Sequence, residues 1–301
     1  MLFLAILSGV FFAVQGPVNT ALGKRISVFQ ASFVSFLGGT LVSGLLVLLI
    51  GQGDFSKFSQ LKLWQVIGGL YGLVNVCVTI LVIPVLGAAL TLTTIMLGQL
   101  LAGAVIDRFG FLGSAVIEVS FWRFAGIAVV AAGIVLIYFG SLNREAKNKD
   151  KESRNFKKIL MLFLSVIAGI LGAMQSPTNA SMAGVIGSWE GTFVSFVVGT
   201  VALIPVTLVA NKGKIRSVRG SGVKPWMIIG GLYGVGGIFL SLYTVSKLGT
   251  ALQVACGMIG QLSSGLILDT FGLIQTTKVK INVLRILGIA LIIAGVILVQ
   301  K

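Results

Sequence analysis

Two Gln-x-Pro-x-Asn motifs carry side chains that are well suited to bind a small solute within a membrane. They are QGPVN at 15–19 and QSPTN at 175–179. In each motif the two amides are four residues apart, so they share one face of a helix. An amide donates and accepts hydrogen bonds without carrying charge, which favours a neutral, zwitterionic or weakly charged solute. The predicted solute-binding residues are Gln15, Asn19, Gln175 and Asn179.

The proline at the centre of each motif predicts a break in its helix. Pro17 and Pro177 have no backbone N–H and push away the carbonyl four residues earlier, so we expect a kink at each. Non-helical backbone at membrane depth is tolerated where it lines a cavity, and discontinuous helices often form solute sites in inverted-repeat carriers. In the alternative interpretation, the amides bind only each other or the broken helix.

Four other polar side chains are second candidates for the same site. Gln99 and Gln261 each follow a glycine in an apolar segment, and Tyr71 and Tyr233 lie in the repeated sequence GGLYG. A helix-to-helix hydrogen bond beside the glycine explains the glutamines equally well. Close packing explains the tyrosines equally well.

Two carboxylates lie near the ends of apolar segments, each followed sixteen residues later by an arginine. The pairs are Asp107 with Arg123 and Asp269 with Arg285. A carboxylate at a helix C-terminus meets the negative end of the helix dipole and is unfavourable alone. We therefore predict two structural ion pairs that brace the following loops. The alternative is a proton-linked gate, because no carboxylate lies nearer to the middle of an apolar segment.

The composition is that of a chain whose exterior faces lipid. Of 301 residues, 56% are hydrophobic and 10% are charged, whereas soluble domains carry about 25% charged residues. The net charge of +15 comes from Lys and Arg between apolar segments, so nucleic-acid binding is not expected. The chain has no His and only eight Asp and Glu, and Cys77 and Cys256 occupy non-equivalent apolar segments. We therefore predict no metal, no cofactor and no enzyme activity.

Ten apolar segments have about the 20-residue length that a helix needs to cross a bilayer core. Their approximate ranges are 2–22, 29–50, 63–84, 88–107, 122–141, 159–182, 190–210, 226–246, 249–268 and 283–300. Between the fifth and sixth segments lies NREAKNKDKESRNFKK at 143–158, which is typical of a flexible, charged cytoplasmic linker.

The two halves of the chain are copies of each other. FVSF at 33–36 recurs at 193–196, and GGLYG at 68–72 recurs at 230–234. MLGQLLAGAVIDRFG likewise matches MIGQLSSGLILDTFG. Residue n is thus equivalent to residue n+160 in the first two helices and to n+162 from GGLYG onward.

Because each copy crosses the membrane five times, the second copy must enter from the opposite side. The predicted fold is all-α and integral to the membrane, with ten transmembrane helices in two inverted five-helix repeats. The repeats comprise residues 1–142 and 159–301. With the N-terminus outside, 17 of the 23 Lys and Arg residues lie on the cytoplasmic side, so both termini are predicted outside.

The paired halves, the QxPxN motifs, the GQL…D-x-FG segments and the closing R-x-x-G helices resemble the YdcZ family of the drug/metabolite transporter superfamily. The resemblance covers essentially the whole chain. It implies a secondary transporter in which helices 1–4 and 6–9 surround a central pathway. Helix 10 is also similar to the glycine-spaced last helix of small multidrug resistance proteins, which implies a homodimer through helices 5 and 10. Those exporters carry a glutamate in helix 1, where this chain has Gln15.

The expected function is transport of a small metabolite or drug-like solute across the cytoplasmic membrane by alternating access, with export as the expected direction. The expected partners are the lipid bilayer and the solute. A passive channel is the first alternative, although few polar residues per helix are available to line it. A membrane scaffold without transport activity is the second, and the duplicated amides would then have no purpose.

Overall fold

The computed structural model describes residues 1–114, 116, 120–142, 151–213, 221–248, 250–276, 278 and 282–299. The described residues contain ten helices of 17 or more residues, which we number as the predicted ones. They are α1 Leu2–Gly23, α2 Val28–Ile50, α3 Gly68–Leu86, α4 Ala88–Phe109, α5 Phe121–Leu142, α6 Lys151–Ile186, α7 Ser188–Ala210, α8 Gly230–Leu248, α9 Thr250–Phe271 and α10 Val283–Val299. Short helical turns, Leu63–Val66 and Pro225–Ile228, precede α3 and α8. No β-strand occurs in the described part of the chain.

The described helices include six that are long and apolar enough to span a bilayer. They comprise α1, α2, α3 with its preceding turn, α4, α6 from residue 156, and α7. Shorter apolar stretches occupy α5 and α10. Large hydrophobic side chains on the outside of the bundle, such as Leu48 and Val209, are exposed, as expected where lipid is the solvent.

The largest difference from the predicted helix boundaries lies at the start of α6. This helix begins at Lys151, inside the segment 143–158 that the charge pattern assigned to a flexible linker. Residues 151–158 contain no Gly or Pro, so their charge does not prevent helix formation. Residues 143–150 lie outside the described part of the chain.

The prolines do not interrupt their helices. Residues on both sides of Pro17 in α1 and of Pro177 in α6 remain helical. Neither helix is therefore interrupted at its proline, and the kink stays a prediction. Proline is tolerated within membrane helices because neighbouring helices and local adjustments satisfy the freed backbone groups, and Ala13, whose carbonyl Pro17 would release, is completely buried.

Equivalent residues of α2 and α7 meet each other directly. The rings of Phe36 and Phe196 are 5.4 Å apart, and the hydroxyl groups of Thr40 and Thr200 are 2.9 Å apart. The hydroxyl of Thr207, near the end of α7, donates to the carbonyl of Phe29, near the start of α2. The two copies of this helix therefore run antiparallel about a local two-fold axis.

Glycines bring helices of opposite halves into backbone contact. A Cβ on Gly9 of α1 would meet the carbonyl of Gly257 in α9 and lie 2.9 Å from the amide nitrogen of Gln261. At the equivalent contact, a Cβ on Gly98 of α4 would lie 3.0 Å from the Cα of Gly169 in α6. The structure thus uses the same small-residue packing twice.

Helices α5 and α10 form a peripheral pair within the chain. A Cβ on Gly133 would lie 2.6 Å from the carbonyl oxygen of Gly288, and one on Gly295 would lie 2.7 Å from that of Gly126. The glycine face of α10 is therefore occupied by α5 of the same molecule. A homodimer through helices 5 and 10 would have to use their other faces.

Candidate solute-binding site

A cavity of about 350 Å³ lies between the two halves of the bundle. Its wall is built from helices of both halves, and the lining includes three phenylalanines, Phe12, Phe36 and Phe196. Because the rings of Phe36 and Phe196 meet at the local two-fold axis, they contribute an aromatic surface between the amides of the two halves.

The six amide side chains predicted from the sequence all line this cavity. They are Gln15, Asn19, Gln99, Gln175, Asn179 and Gln261. The four amides of the Gln-x-Pro-x-Asn motifs come from α1 and α6, whose shared helical face is directed toward the centre. The structure therefore brings the two motifs together.

The glycines of the GGLYG motifs receive these amides. Gly68 and Gly72 of α3 lie against Asn179 and Gln175, and a Cβ on Gly72 would be 2.6 Å from the Gln175 Nε2 atom. The second motif repeats the arrangement, with Gly230 against Asn19 and Gly234 against Gln15.

Each half thus supplies a glycine slot for the amides of the other half. The repeated glycines were visible in the sequence, but the pairing between the halves was not.

Tyr71 and Tyr233, the other members of the GGLYG motifs, are not among the cavity-lining residues. Both are partly buried, and the ring of Tyr233 lies 5.9 Å from that of Phe11. Tyr233 takes part in packing, one of the two interpretations that the sequence left open. The glycines beside the tyrosines approach the amides, and the tyrosines themselves do not line the cavity.

Two of the central amides have polar atoms without a hydrogen-bond partner among the described residues. Both Oδ1 and Nδ2 of Asn19 are unpaired, as is Oδ1 of Asn179. Asn19 is 1% exposed and Asn179 is 4% exposed. A buried polar group without a partner destabilises the folded state by about 1–3 kcal/mol, so a ligand that paired these atoms would recover that energy.

Asn75 is a cavity-lining residue that the repeat comparison missed. Its Nδ2 atom donates to the carbonyl of Ala168 at 3.1 Å, which links α3 to α6. The equivalent position in the second half is Gly237. The sequence marks Asn75 only as a single polar residue within an apolar segment. Comparison of the halves cannot detect it, because the second half has no amide at the equivalent position.

The remaining glutamines differ in their surroundings. Gln99 lies against Gly172 of α6, where a Cβ would be 3.1 Å from its Nε2 atom. Gln253, also on the cavity wall, donates to the Ser8 hydroxyl at 3.5 Å. Gln99 thus packs on a glycine and Gln253 forms a hydrogen bond between helices, while both side chains line the cavity.

Both predicted ion pairs are present. Arg123 donates to Asp107, and Arg285 Nη2 lies 3.4 Å from the Asp269 Oδ2 atom. Asp107 is 22% exposed and lies on the cavity wall, whereas Asp269 is 1% exposed. We call the corresponding ends of the bundle the Asp107 end and the Asp269 end.

The cavity reaches the Asp107 end but not the Asp269 end. Its lining includes Gly103, Ile106, Asp107, Ser114 and Arg123, but none of the equivalent residues Gly265, Leu268, Asp269, Thr276 and Arg285. A Cβ on Gly103 would have no heavy atom within 4 Å, whereas one on Gly265 would lie 3.3 Å from the Cα of Ala89. Two similar sequences thus adopt an open and a closed arrangement in one molecule.

No charged side chain among the described residues lies at the cavity centre. The charged residues on its wall are Asp107 and Arg123, which pair with each other near one end. No group of three or more potential metal ligands occurs among the described Cys, Asp and Glu residues. The polar groups nearest the centre are amides and hydroxyls, which bind through hydrogen bonds.

Comparison with known families identifies the chain. The family described as "Putative inner membrane exporter, YdcZ" matches residues 1–136 and 160–298, which correspond to the two halves. The chain belongs to the YdcZ family. The apolar helices and this membership identify a multi-pass membrane protein. The family is one of transporters rather than of enzymes.

Solved structures support the same fold. A crystal structure that shares 16% sequence identity aligns over 98% of this chain and 93% of its own, with a TM-score of 0.61. At this level of identity the likeness shows the fold alone. No curated protein matches the chain.

Proposed function

We propose that this YdcZ-family protein is a secondary transporter that moves a small solute across the cytoplasmic membrane by alternating access. The observation that carries the proposal is the one-ended cavity between two similar halves. A carrier requires a central site that opens to one side at a time, and rocking of one repeat against the other exchanges the open end.

The proposed solute is neutral, zwitterionic or weakly charged and contains both hydrogen-bond donors and acceptors. Support comes from the central amides and from the unpaired atoms of Asn19 and Asn179. A strongly ionic solute would leave its charge without a partner at the centre of the bundle, where an uncompensated charge is costly.

The proposed topology has all ten helices crossing the membrane as two inverted five-helix repeats. The antiparallel contact of α2 with α7 supports the inversion. We propose that both termini lie outside and that the Asp269 end faces the cytoplasm, because most Lys and Arg residues then lie inside. The cavity would accordingly be open to the outside. Export is the proposed direction, in line with the description of the family.

A passive channel is the second candidate, but the packed Asp269 end does not favour a continuous aqueous path in this conformation. A homodimer through α5 and α10 is a further proposal, and lipid-facing side chains such as Phe124 and Ile286 would form its contact. Oligomeric mass in nanodiscs tests that contact.

The test of transport has two steps. Purified protein is first screened for thermal stabilisation by a panel of metabolites and cationic drugs, because a ligand that binds the native state raises its apparent stability. Each hit is then measured in proteoliposomes for saturable exchange. We expect exchange to be lost in Asn19→Ala with Asn179→Ala and retained in Gly184→Ala, a position outside the cavity wall where space is open.

Linear, non-saturating flux of the hits would refute the carrier and favour a channel. Unchanged exchange in the folded double variant would refute the amide site.

A further inference from the structure

Asp269 joins the two halves where the cavity is closed. Its Oδ1 atom accepts a hydrogen bond from the Ala88 amide at 2.9 Å, and Oδ2 accepts one from the Ala89 amide at 2.8 Å. These amides belong to the first two residues of helix α4. A carboxylate from α9 of the second half therefore caps the first turn of a helix in the first half.

The capping geometry depends on the residue before α4. Gly87 has φ of +81°, which favours glycine, and a Cβ there would lie 3.1 Å from the Asp269 Oδ2 atom. A carboxylate is favoured at a helix N-terminus and disfavoured at the C-terminus of its own helix. Asp269 therefore gains stabilisation specifically from docking on α4, beyond its pairing with Arg285.

The equivalent carboxylate occupies a different environment. Asp107 pairs with Arg123 and lines the cavity at the open end. By the repeat, the amides equivalent to those of Ala88 and Ala89 belong to Thr250 and Ala251, at the start of α9. The repeat therefore predicts a docking position of the same kind for Asp107 once the bundle closes at that end.

We propose that Asp107 and Asp269 are exchangeable latches. Asp269 holds the Asp269 end closed by capping α4, and Asp107 holds the opposite end closed by capping α9 after the halves have rocked. The arginines keep whichever carboxylate is undocked paired. This inference rests on the proposed alternating-access function and specifies how each closed end is held.

The test uses Asp269→Asn and Asp107→Asn as matched variants. Asparagine keeps the shape of the side chain but loses the charge and replaces one acceptor with a donor. The reporter is Leu268→Cys, a buried position at the closed end, in a protein whose native cysteines are replaced by serine. Its labelling by a water-soluble thiol reagent is followed in nanodiscs, where the reagent reaches both faces.

The latch predicts opposite effects of the two variants on the same reporter. Asp269→Asn should raise the labelling rate of Leu268→Cys about tenfold, because it weakens the state in which this end is closed. Asp107→Asn should lower that rate about tenfold, because it weakens the opposite closed state. The variant with both changes should label at nearly the original rate.

A rise with Asp269→Asn but no fall with the distant Asp107→Asn would show local loosening and overturn the latch. Failure of the latch is separable from failure of alternating access by Gly265→Val, which wedges the Asp269 end against Ala89 without altering either carboxylate. If the wedge raises labelling of Leu268→Cys and lowers that of Gly103→Cys at the opposite end, while both carboxylate variants leave Leu268→Cys unchanged, the latch is wrong and alternating access stands. If Leu268→Cys in the wedged protein labels as fast as Gly103→Cys while Gly103→Cys keeps its rate, both ends are open together and alternating access itself is refuted.

Discussion

Replacing Asn19 with leucine should stabilise the folded protein while abolishing solute binding. Asn19 is buried, and neither polar atom of its amide has a partner among the described residues. Leucine has a similar shape and removes both unpaired atoms. Since a buried unsatisfied group costs about 1–3 kcal/mol, we expect the free energy of unfolding of Asn19→Leu to rise by about 1–3 kcal/mol.

Asn75→Leu is the matched control, because both asparagines lie on membrane helices at the same cavity. The Asn75 amide donates to the carbonyl of Ala168, so its replacement removes an existing hydrogen bond. Such bonds contribute about 0.6–2 kcal/mol within membranes. We therefore expect Asn75→Leu to lower the free energy of unfolding by about that amount.

The assay is reversible denaturant unfolding in mixed micelles, followed by circular dichroism, with thermal-shift measurements of the solutes found by screening. Stabilisation by those solutes should vanish in Asn19→Leu. If Asn19→Leu instead loses stability to the same extent as Asn75→Leu, its amide is already paired in the folded protein. That result would refute the reasoning that Asn19 is held ready for a solute at the expense of stability.

Three further predictions concern packing and caps, each measured as a change in unfolding free energy. Gly9→Val should lower the free energy of unfolding by about 1–3 kcal/mol, because its Cβ meets the backbone of α9. Gly103→Val should be nearly neutral, and equal losses in the two variants would contradict the close contact at Gly9. Arg285→Met should cost about 3–5 kcal/mol, because it leaves a buried carboxylate without its cation. The more exposed Arg123→Met should cost less, and the reverse order would contradict the asymmetry of the two ends. Ser27→Ala should cost about 1 kcal/mol, because Ser27 accepts the amide hydrogen of Gln30 at the start of α2; no change would show that this cap is dispensable.

The sequence predicted the helices well because lipid makes their physical requirements simple. An apolar segment of sufficient length has few alternatives to a helix at membrane depth, and the observed bounds lie within about five residues of the predicted ones except at Lys151. The amides were predicted for a related reason, since polar side chains in apolar helices usually face protein or a cavity.

Other features could not be predicted because they depend on contacts between distant parts of the chain. The sequence repeats GGLYG, but only the fold shows that Gly68 and Gly72 face amides of the opposite half. It repeats the Asp and Arg residues, but it cannot show that Asp107 is accessible while Asp269 caps α4. The two halves have nearly equivalent patterns, so the difference between their ends is visible only in the fold. The helix continues through Pro17, since neighbouring helices can accommodate a proline within a membrane helix, and the positions of those neighbours are not encoded locally.

The pairing of α1 with α9 through Gly9 has a consequence for biosynthesis. When α1 enters the bilayer, the helix that covers its glycine face has not yet been made, and most of the chain must be translated before it arrives. During that interval the first half presents small residues and uncovered amides to lipid or to the insertion machinery. Maturation should therefore be completed late and in a concerted step. Truncated chains that end before α9 should fold inefficiently and be degraded rapidly by membrane proteases.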